Sequence, residues 1–67
     1  MAGMKSKMKY VIILNSTNFP YYLRWDPDSP HLIEWTPIKE SAYIYASENT
    51  ANADIERMGL DAYVKLI

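Results

Sequence analysis

The most strand-like stretch of the chain is KYVIILN, residues 9–15. Its residues are β-branched or apolar on both alternating sides, which is typical of a strand that is covered on both faces. We therefore expect this strand in the middle of a sheet. The turn cluster NSTNFP, residues 15–20, follows it and predicts a hairpin to the next strand.

Four later segments alternate between two kinds of side chain, which is the pattern of half-buried strands. They are YYLRW (residues 21–25), HLIEW (31–35), AYIYA (42–46) and DAYVKLI (61–67). The first three continue the chain as an antiparallel meander. The last follows a helix and can pair antiparallel with the free edge of the first strand.

A single helix is predicted in SENTANADIERMG, residues 47–59. Ser47 is the expected N-cap and Gly59 the expected C-cap. Ala51, Ile55 and Met58 form one narrow apolar stripe, so the helix must pack on the sheet. The sequence thus predicts an α+β fold of order ββββαβ, with a four- to five-stranded antiparallel sheet and one helix on one face. We expect a flexible basic N-terminal segment over residues 1–8 and one small domain over residues 9–67.

Composition limits the class of protein. The chain has 67 residues, no cysteine and a net charge of −1, with +4 in residues 1–25 and −5 in residues 26–67. The absence of cysteine favours a reducing compartment, and the apolar runs are too short to span a bilayer. We therefore expect a cytoplasmic protein with no membrane partner.

The stretch RWDPDSPHLIEW, residues 24–35, holds the only histidine, His31, close to Asp26 and Asp28. These three could ligate a metal, but the stretch has two prolines and no glycine, unlike a calcium loop. No nucleophile and base are placed together by the sequence. We interpret the stretch as a turn, and predict no metal, no cofactor, no catalytic residue and no enzymatic activity.

Strict alternation predicts which side chains lie under the helix. Ala42, Ile44 and Ala46 are expected there, whereas Tyr10 and Ile12 are expected on the opposite face. Most of the tyrosines then collect on the face without a helix. The candidate partner-binding residues are Tyr22, Arg24, Tyr43, Tyr45, Tyr63 and Lys65.

Tyrosine suits an interface because it offers a large contact area and a polar tip with few rotatable bonds. A docking surface for a protein partner is one interpretation of this face. Others remain open: a half-exposed sheet that binds nothing, a nucleic-acid-binding surface that stacks bases on the tyrosines and uses the lysine-rich start of the chain, or a homodimer whose sheets pack face to face.

The order of elements also carries a resemblance. A start such as MKYVIILN, a short strand at residues 42–45 and the ending SENTANADIERMGLDAYVKLI resemble the layout of small orphan proteins encoded by bacteriophages and prophages. Several such proteins bind and block a host factor, including restriction or CRISPR machinery. The resemblance implies a stoichiometric protein-binding accessory protein in the host cytoplasm, acting as an inhibitor of a host or defence factor. A nucleic-acid-binding regulator and a homodimeric structural module are the alternatives.

Overall fold

The computed structural model describes residues 8–67, apart from the side chains of Pro30 and His31. This part of the chain forms a four-stranded antiparallel sheet and one α-helix. The strands are β1 (Tyr10–Leu14), β2 (Tyr22–Asp26), β3 (Ser29–Thr36) and β4 (Ala62–Leu66), and the helix is α1 (Glu48–Met58). The sheet order is β3-β2-β1-β4. The predicted α+β fold is confirmed with four strands, and the N-terminal segment, except for Met8, lies outside the described residues.

Strand β1 lies in the middle of the sheet, as its sequence predicts. It pairs antiparallel with β2 on one side and with β4 on the other. Val11 and Ile12 are fully buried and Ile13 is nearly so. Ile12 packs in a cluster with Ala51 of the helix, whereas Val11 and Ile13 belong to a second cluster. The side chains of β1 are therefore buried on both faces of the sheet, although the helix covers only one of them, and this agrees with a sequence that is apolar on both sides.

A tight hairpin connects β2 to β3, and this confirms the prediction of a turn. Asp26 pairs with Ser29, so residues 27–28 form the tip, and the register shifts between Trp25 and Asp26. Asp26 Oδ1 accepts a 2.9 Å hydrogen bond from the Asp28 backbone N–H, the pattern of an Asx turn. The side chain of His31, which the metal hypothesis requires, lies outside the described residues.

Helix α1 begins and ends where the sequence predicts. Ser47 Oγ accepts a 3.1 Å hydrogen bond from the Thr50 backbone N–H at the start. At the end, Gly59 adopts a φ of 65°, a left-handed conformation that glycine adopts readily. Of the predicted stripe, Ala51 is fully buried and Ile55 and Met58 pack against the same core.

The predicted strand at residues 42–46 is wrong in both pairing and orientation. A 3₁₀ turn, Lys39–Ser41, precedes this segment and carries it back across the sheet. There it lies between β1 and β2: the Tyr43 N–H donates to the Leu23 carbonyl, and Tyr45 and Tyr10 exchange two backbone hydrogen bonds. The segment therefore separates β1 from β2, which pair directly only at Ile13 and Tyr22.

The side chains of this segment alternate between the two faces of the sheet as predicted, but each lies on the face opposite to the predicted one. Ala42 packs with Val11 and Ile13 on the side away from the helix. Tyr45 is only 3% exposed and packs with Ile12 and Ala51 under the helix. The prediction that Tyr10 and Ile12 lie away from the helix is also wrong. The helix-side core contains Ile12, Leu23, Tyr45 and Ala51, surrounded by partly buried Tyr10, Trp25, Ile33, Trp35, Ile55, Met58, Leu60, Ala62 and Val64.

Candidate functional site

The sheet surface on the side away from α1 will be called the open face. One row of side chains runs across all four strands of this face, because Tyr22 pairs with Thr36 and with Ile13, and Ile13 also pairs with Tyr63. In the next row Arg24 pairs with Glu34, and Val11 pairs with Lys65. The buried Ile13 thus lies between two tyrosines, one on each neighbouring strand.

A pocket of about 360 Å³ opens at one end of this face, and will be called the open-face pocket. Tyr22 and Tyr63 flank Ile13 there. Lys65 lines the side of β4, and Phe19 lines the side of the loop between β1 and β2. The complete lining is Ile13, Leu14, Asn15, Thr17, Asn18, Phe19, Pro20, Tyr22, Tyr63 and Lys65.

The loop that forms one wall of the pocket is fixed by hydrogen bonds at both of its ends. The Asn15 backbone N–H and side-chain Nδ2 donate to the Asp61 carbonyl at 2.9 Å and to Asp61 Oδ1 at 3.0 Å. At the other end, the Leu14 N–H donates to the Tyr21 carbonyl at 2.9 Å. Thr17 Oγ1 donates to the Phe19 carbonyl within the loop. These bonds hold the backbone of Phe19 at the rim of the pocket, where its side chain is 72% exposed.

The charges on the open face are distributed unevenly. Arg24 and Glu34 form an ion pair with each other. Lys65 has no ion-pair partner among residues 8–67. No acidic residue lines the pocket, although Asp61 lies next to it and accepts a hydrogen bond from Asn15. Lys65 is therefore the one charged side chain among the lining residues, beside aromatic rings and amide groups.

Four of the six predicted site residues lie together on the open face: Tyr22, Arg24, Tyr63 and Lys65. The other two do not join them. Tyr45 is buried under the helix, and the Tyr43 ring lies edge-on against both Tyr45 and Trp25, at centroid distances of 4.8 and 6.4 Å. Because Trp25 and Tyr45 both belong to the helix-side core, the placement of Tyr43 and Tyr45 on the open face was wrong.

Tyr45 has a structural role that follows from its hydroxyl. The hydroxyl donates a 2.7 Å hydrogen bond to Asp54 Oδ2, and Arg57 donates a 2.8 Å hydrogen bond to Asp54 Oδ1. Burial, followed by the bond to Asp54, raises the pKa of Tyr45 well above its ordinary value. The Arg57 guanidinium, with a smaller contribution from the Tyr45 hydroxyl, lowers the pKa of Asp54 despite partial burial. A neutral tyrosine and an ionised carboxylate are thus the favoured partners.

Sequence reasoning missed Phe19, together with the loop residues Asn15 and Asn18. A signal was available, because Phe19 stands in a polar turn cluster and directly before a proline, where neither strand nor helix periodicity places it in the core. A large apolar residue at such a position is expected at the surface. Phe19 is 72% exposed and lines the open-face pocket together with Tyr22 and Tyr63.

Comparison of the chain with protein-family models, with curated proteins and with solved structures finds no match in any of the three. Over the described range, no helix has the length and apolar character required to cross a membrane. In the same range, no three histidine, cysteine or acidic side chains come together in a way that could hold a metal ion.

Proposed function

We propose that this protein is a stoichiometric protein-binding module that docks its partner on the open face, centred on the open-face pocket. The observation that carries the proposal is the pocket itself, in which Phe19, Tyr22 and Tyr63 surround a buried Ile13 beside the unpaired Lys65. Large aromatic side chains around a concave site are typical of the residues that dominate protein interfaces.

The chemistry of the pocket favours a particular kind of partner surface. Tyr63 and Phe19 leave apolar ring surface in water, at 47% and 72% exposure, and this surface can be covered by an apolar side chain. Lys65 supplies a positive charge with no acid among the lining residues. The fitting partner therefore presents an apolar or aromatic side chain next to an aspartate or glutamate.

The rigidity of the site supports binding at low entropic cost. Tyr22 and Tyr63 lie on strands of the sheet, and the loop that carries Phe19 is anchored to Asp61 and Tyr21 by backbone hydrogen bonds. A site that is ordered before binding loses less conformational entropy when the partner docks. This arrangement suits a protein that acts by occupying a partner rather than by changing its own fold.

A nucleic-acid-binding regulator is the weaker candidate. Phosphate backbones require several cations along a groove. On the open face Arg24 is paired with Glu34, which leaves Lys65 as the one unpaired cation among the pocket residues.

We infer that the protein is not an enzyme, and that it acts in the cytoplasm of a host cell as a phage-type accessory protein that inhibits a host or defence factor. The resemblance of its element order to small phage and prophage proteins supports the setting. No histidine, cysteine or acidic side chain lines the pocket, which supports binding rather than acid–base chemistry.

Selection from a random peptide library tests the proposed partner chemistry. The protein is immobilised through Glu56→Cys on the exposed side of α1, so that the open face remains accessible. Binders are then counter-selected against a Phe19→Ser, Tyr63→Ser double variant. We expect the surviving peptides to share an apolar or aromatic residue next to an acid. Survivors enriched in lysine and arginine, or the absence of any peptide that distinguishes the two proteins, would contradict the proposal.

A further inference from the structure

The outer edge of β4 is a second potential binding surface, separate from the open-face pocket. Strand β4 pairs with β1 on one side, and among the described residues no strand lies on its other side. Leu66 is 52% exposed on this strand, and Tyr63 and Ile67 are also exposed. An edge strand with apolar side chains is a template for pairing with another strand.

The hydrogen bonds to β1 determine which backbone groups point outward. The Ile67 N–H donates to the Lys9 carbonyl and the Asn15 N–H donates to the Asp61 carbonyl. Bonded pairs alternate along an antiparallel ladder, so Tyr63 and Lys65 also bond to β1. The N–H and C=O groups of Ala62, Val64 and Leu66 therefore point away from the sheet.

The two edges of the sheet differ in how they oppose pairing. Strand β3, at the other edge, contains Pro30, which has no N–H, and is followed directly by Pro37. Strand β4 contains no proline and no acidic residue, and Lys65 is its one charged residue. The β4 edge is thus the one with a complete row of donors and acceptors.

We propose that β4 pairs antiparallel with β4 of a second copy of this chain, about a two-fold axis at Val64. In this register Ala62 faces Leu66 of the other chain, and these outward-pointing pairs form the hydrogen bonds. Tyr63 of one chain faces Lys65 of the other in the closely spaced, non-hydrogen-bonded pairs, so neither lysine stands directly opposite its own copy. The strand is therefore complementary to itself, as a two-fold dimer requires.

Neighbouring registers are less favourable. An axis at Lys65 places the two lysines opposite each other and leaves part of each strand unpaired. An axis at Tyr63 extends the pairing beyond Ala62, where β4 begins. The register at Val64 pairs all five residues of the strand. It joins two four-stranded sheets into one of eight strands and places two open-face pockets on the same surface, which would make the binding module bivalent.

Sedimentation of the full chain tests the dimer without any ligand, so its result is independent of the proposed function. We expect a mass of twice 7.8 kDa at high concentration. Leu66→Pro removes an outward N–H from each chain, while the exposed side chain is of little importance to the fold. It should raise the dimer dissociation constant about tenfold or more. The control Leu66→Ala keeps the N–H and should have a clearly smaller effect.

A cysteine crosslink tests the register, since the chain has no cysteine of its own. With the axis at Val64, the two Cα atoms of residue 64 are about 5.5 Å apart, within disulfide range. Those of residue 65 are about 8 Å apart and out of range. Val64→Cys should therefore oxidise to a covalent dimer, and Lys65→Cys should not. A wild-type chain that stays monomeric, a dimer that Leu66→Pro leaves intact, or crosslinking by Lys65→Cys alone would overturn the proposal.

Discussion

Tyr45 donates a 2.7 Å hydrogen bond to Asp54 Oδ2 and so connects the segment between β1 and β2 to helix α1. The tyrosine ring is buried under the helix, and its hydroxyl reaches the one carboxylate that Arg57 also holds. This contact fixes the face to which residues 42–46 turn. It also removes Tyr45 from the surface that a partner can reach.

Replacement of Tyr45 by phenylalanine tests this contact. The ring is retained, but the hydrogen bond to an ionised Asp54 is lost. We expect the free energy of unfolding to fall by about 1 to 2 kcal/mol. Urea denaturation measures the change, with Tyr43→Phe as the matched control, because the described structure gives the Tyr43 hydroxyl no hydrogen bond. Equal effects of the two changes would show that the bond to Asp54 does not stabilise the fold.

The same contact predicts a dependence of stability on pH. The pKa of Tyr45 is raised above its ordinary value of 10.0, so its contribution is fully present below that pH and is lost as pH rises through the folded-state value. The pKa of Asp54 is lowered below its ordinary 3.8, so its contribution is present above that pH and is lost as pH falls.

Urea denaturation across a pH series measures both effects. The difference in stability between the wild type and Tyr45→Phe should be constant near neutral pH and shrink above about pH 10. Asp54→Asn should flatten the loss of stability on the acid side. If the difference in stability between the wild type and Tyr45→Phe stays the same up to about pH 11, the raised pKa of Tyr45 is contradicted.

The structure of the core predicts which of two isoleucines contributes more to the free energy of unfolding. Ile12 is fully buried between the sheet and the helix, whereas Ile55 on α1 is only partly buried. Ile12→Ala should lower the free energy of unfolding by roughly 3 to 5 kcal/mol, because it leaves a cavity. Ile55→Ala should lower it by about 1 to 2 kcal/mol, because the partly buried Ile55 side chain contributes less buried apolar surface than Ile12. Thermal melts of both variants measure the two losses of stability. A larger loss for Ile55→Ala than for Ile12→Ala would show that Ile12 is not at the centre of the core.

The parts of the fold that could be predicted from sequence depend on local signals. The apolar pattern on both sides of residues 9–15 indicates a central strand, and Ser47 and Gly59 mark the ends of the helix through capping that each residue performs locally. The turn at residues 27–28 follows from Asp26 and Pro27 in the same way.

The placement of residues 42–46 could not be predicted, because alternation gives the period of a segment but not the face to which it turns. That choice depends on the 3₁₀ turn that precedes the segment and on the distant Asp54. A small residue at position 42 fits over Val11 as well as it would fit under a helix. For this reason alternation predicts the wrong face for Tyr43 and Tyr45, whereas Tyr22 on β2 and Tyr63 on β4 lie on the predicted face.

The charge of the open-face pocket predicts a specific effect of charge reversal. Lys65→Glu should weaken binding of a selected acidic peptide and should reverse the dependence of that binding on salt, because added salt then screens a repulsion instead of an attraction. Lys39→Glu is the matched control, because Lys39 is exposed and does not line the pocket but changes the net charge equally. Titration calorimetry at two salt concentrations measures both. If the two variants weaken binding equally, the effect is one of net charge and not of the pocket.

The most direct test of docking at the open-face pocket uses a peptide selected on the wild type alone, without counter-selection. Its dissociation constant is measured for three proteins: the wild type, the Phe19→Ser, Tyr63→Ser double variant, and Ile38→Ser. Ile38 is 55% exposed and does not line the pocket, so it controls for the loss of an exposed apolar side chain. The double variant should raise the dissociation constant about thirtyfold or more, as expected for an interface hot spot, while its melting temperature stays close to that of the wild type. Ile38→Ser should leave the dissociation constant unchanged. Undiminished binding by a folded double variant would contradict the central claim that this pocket is where the protein docks.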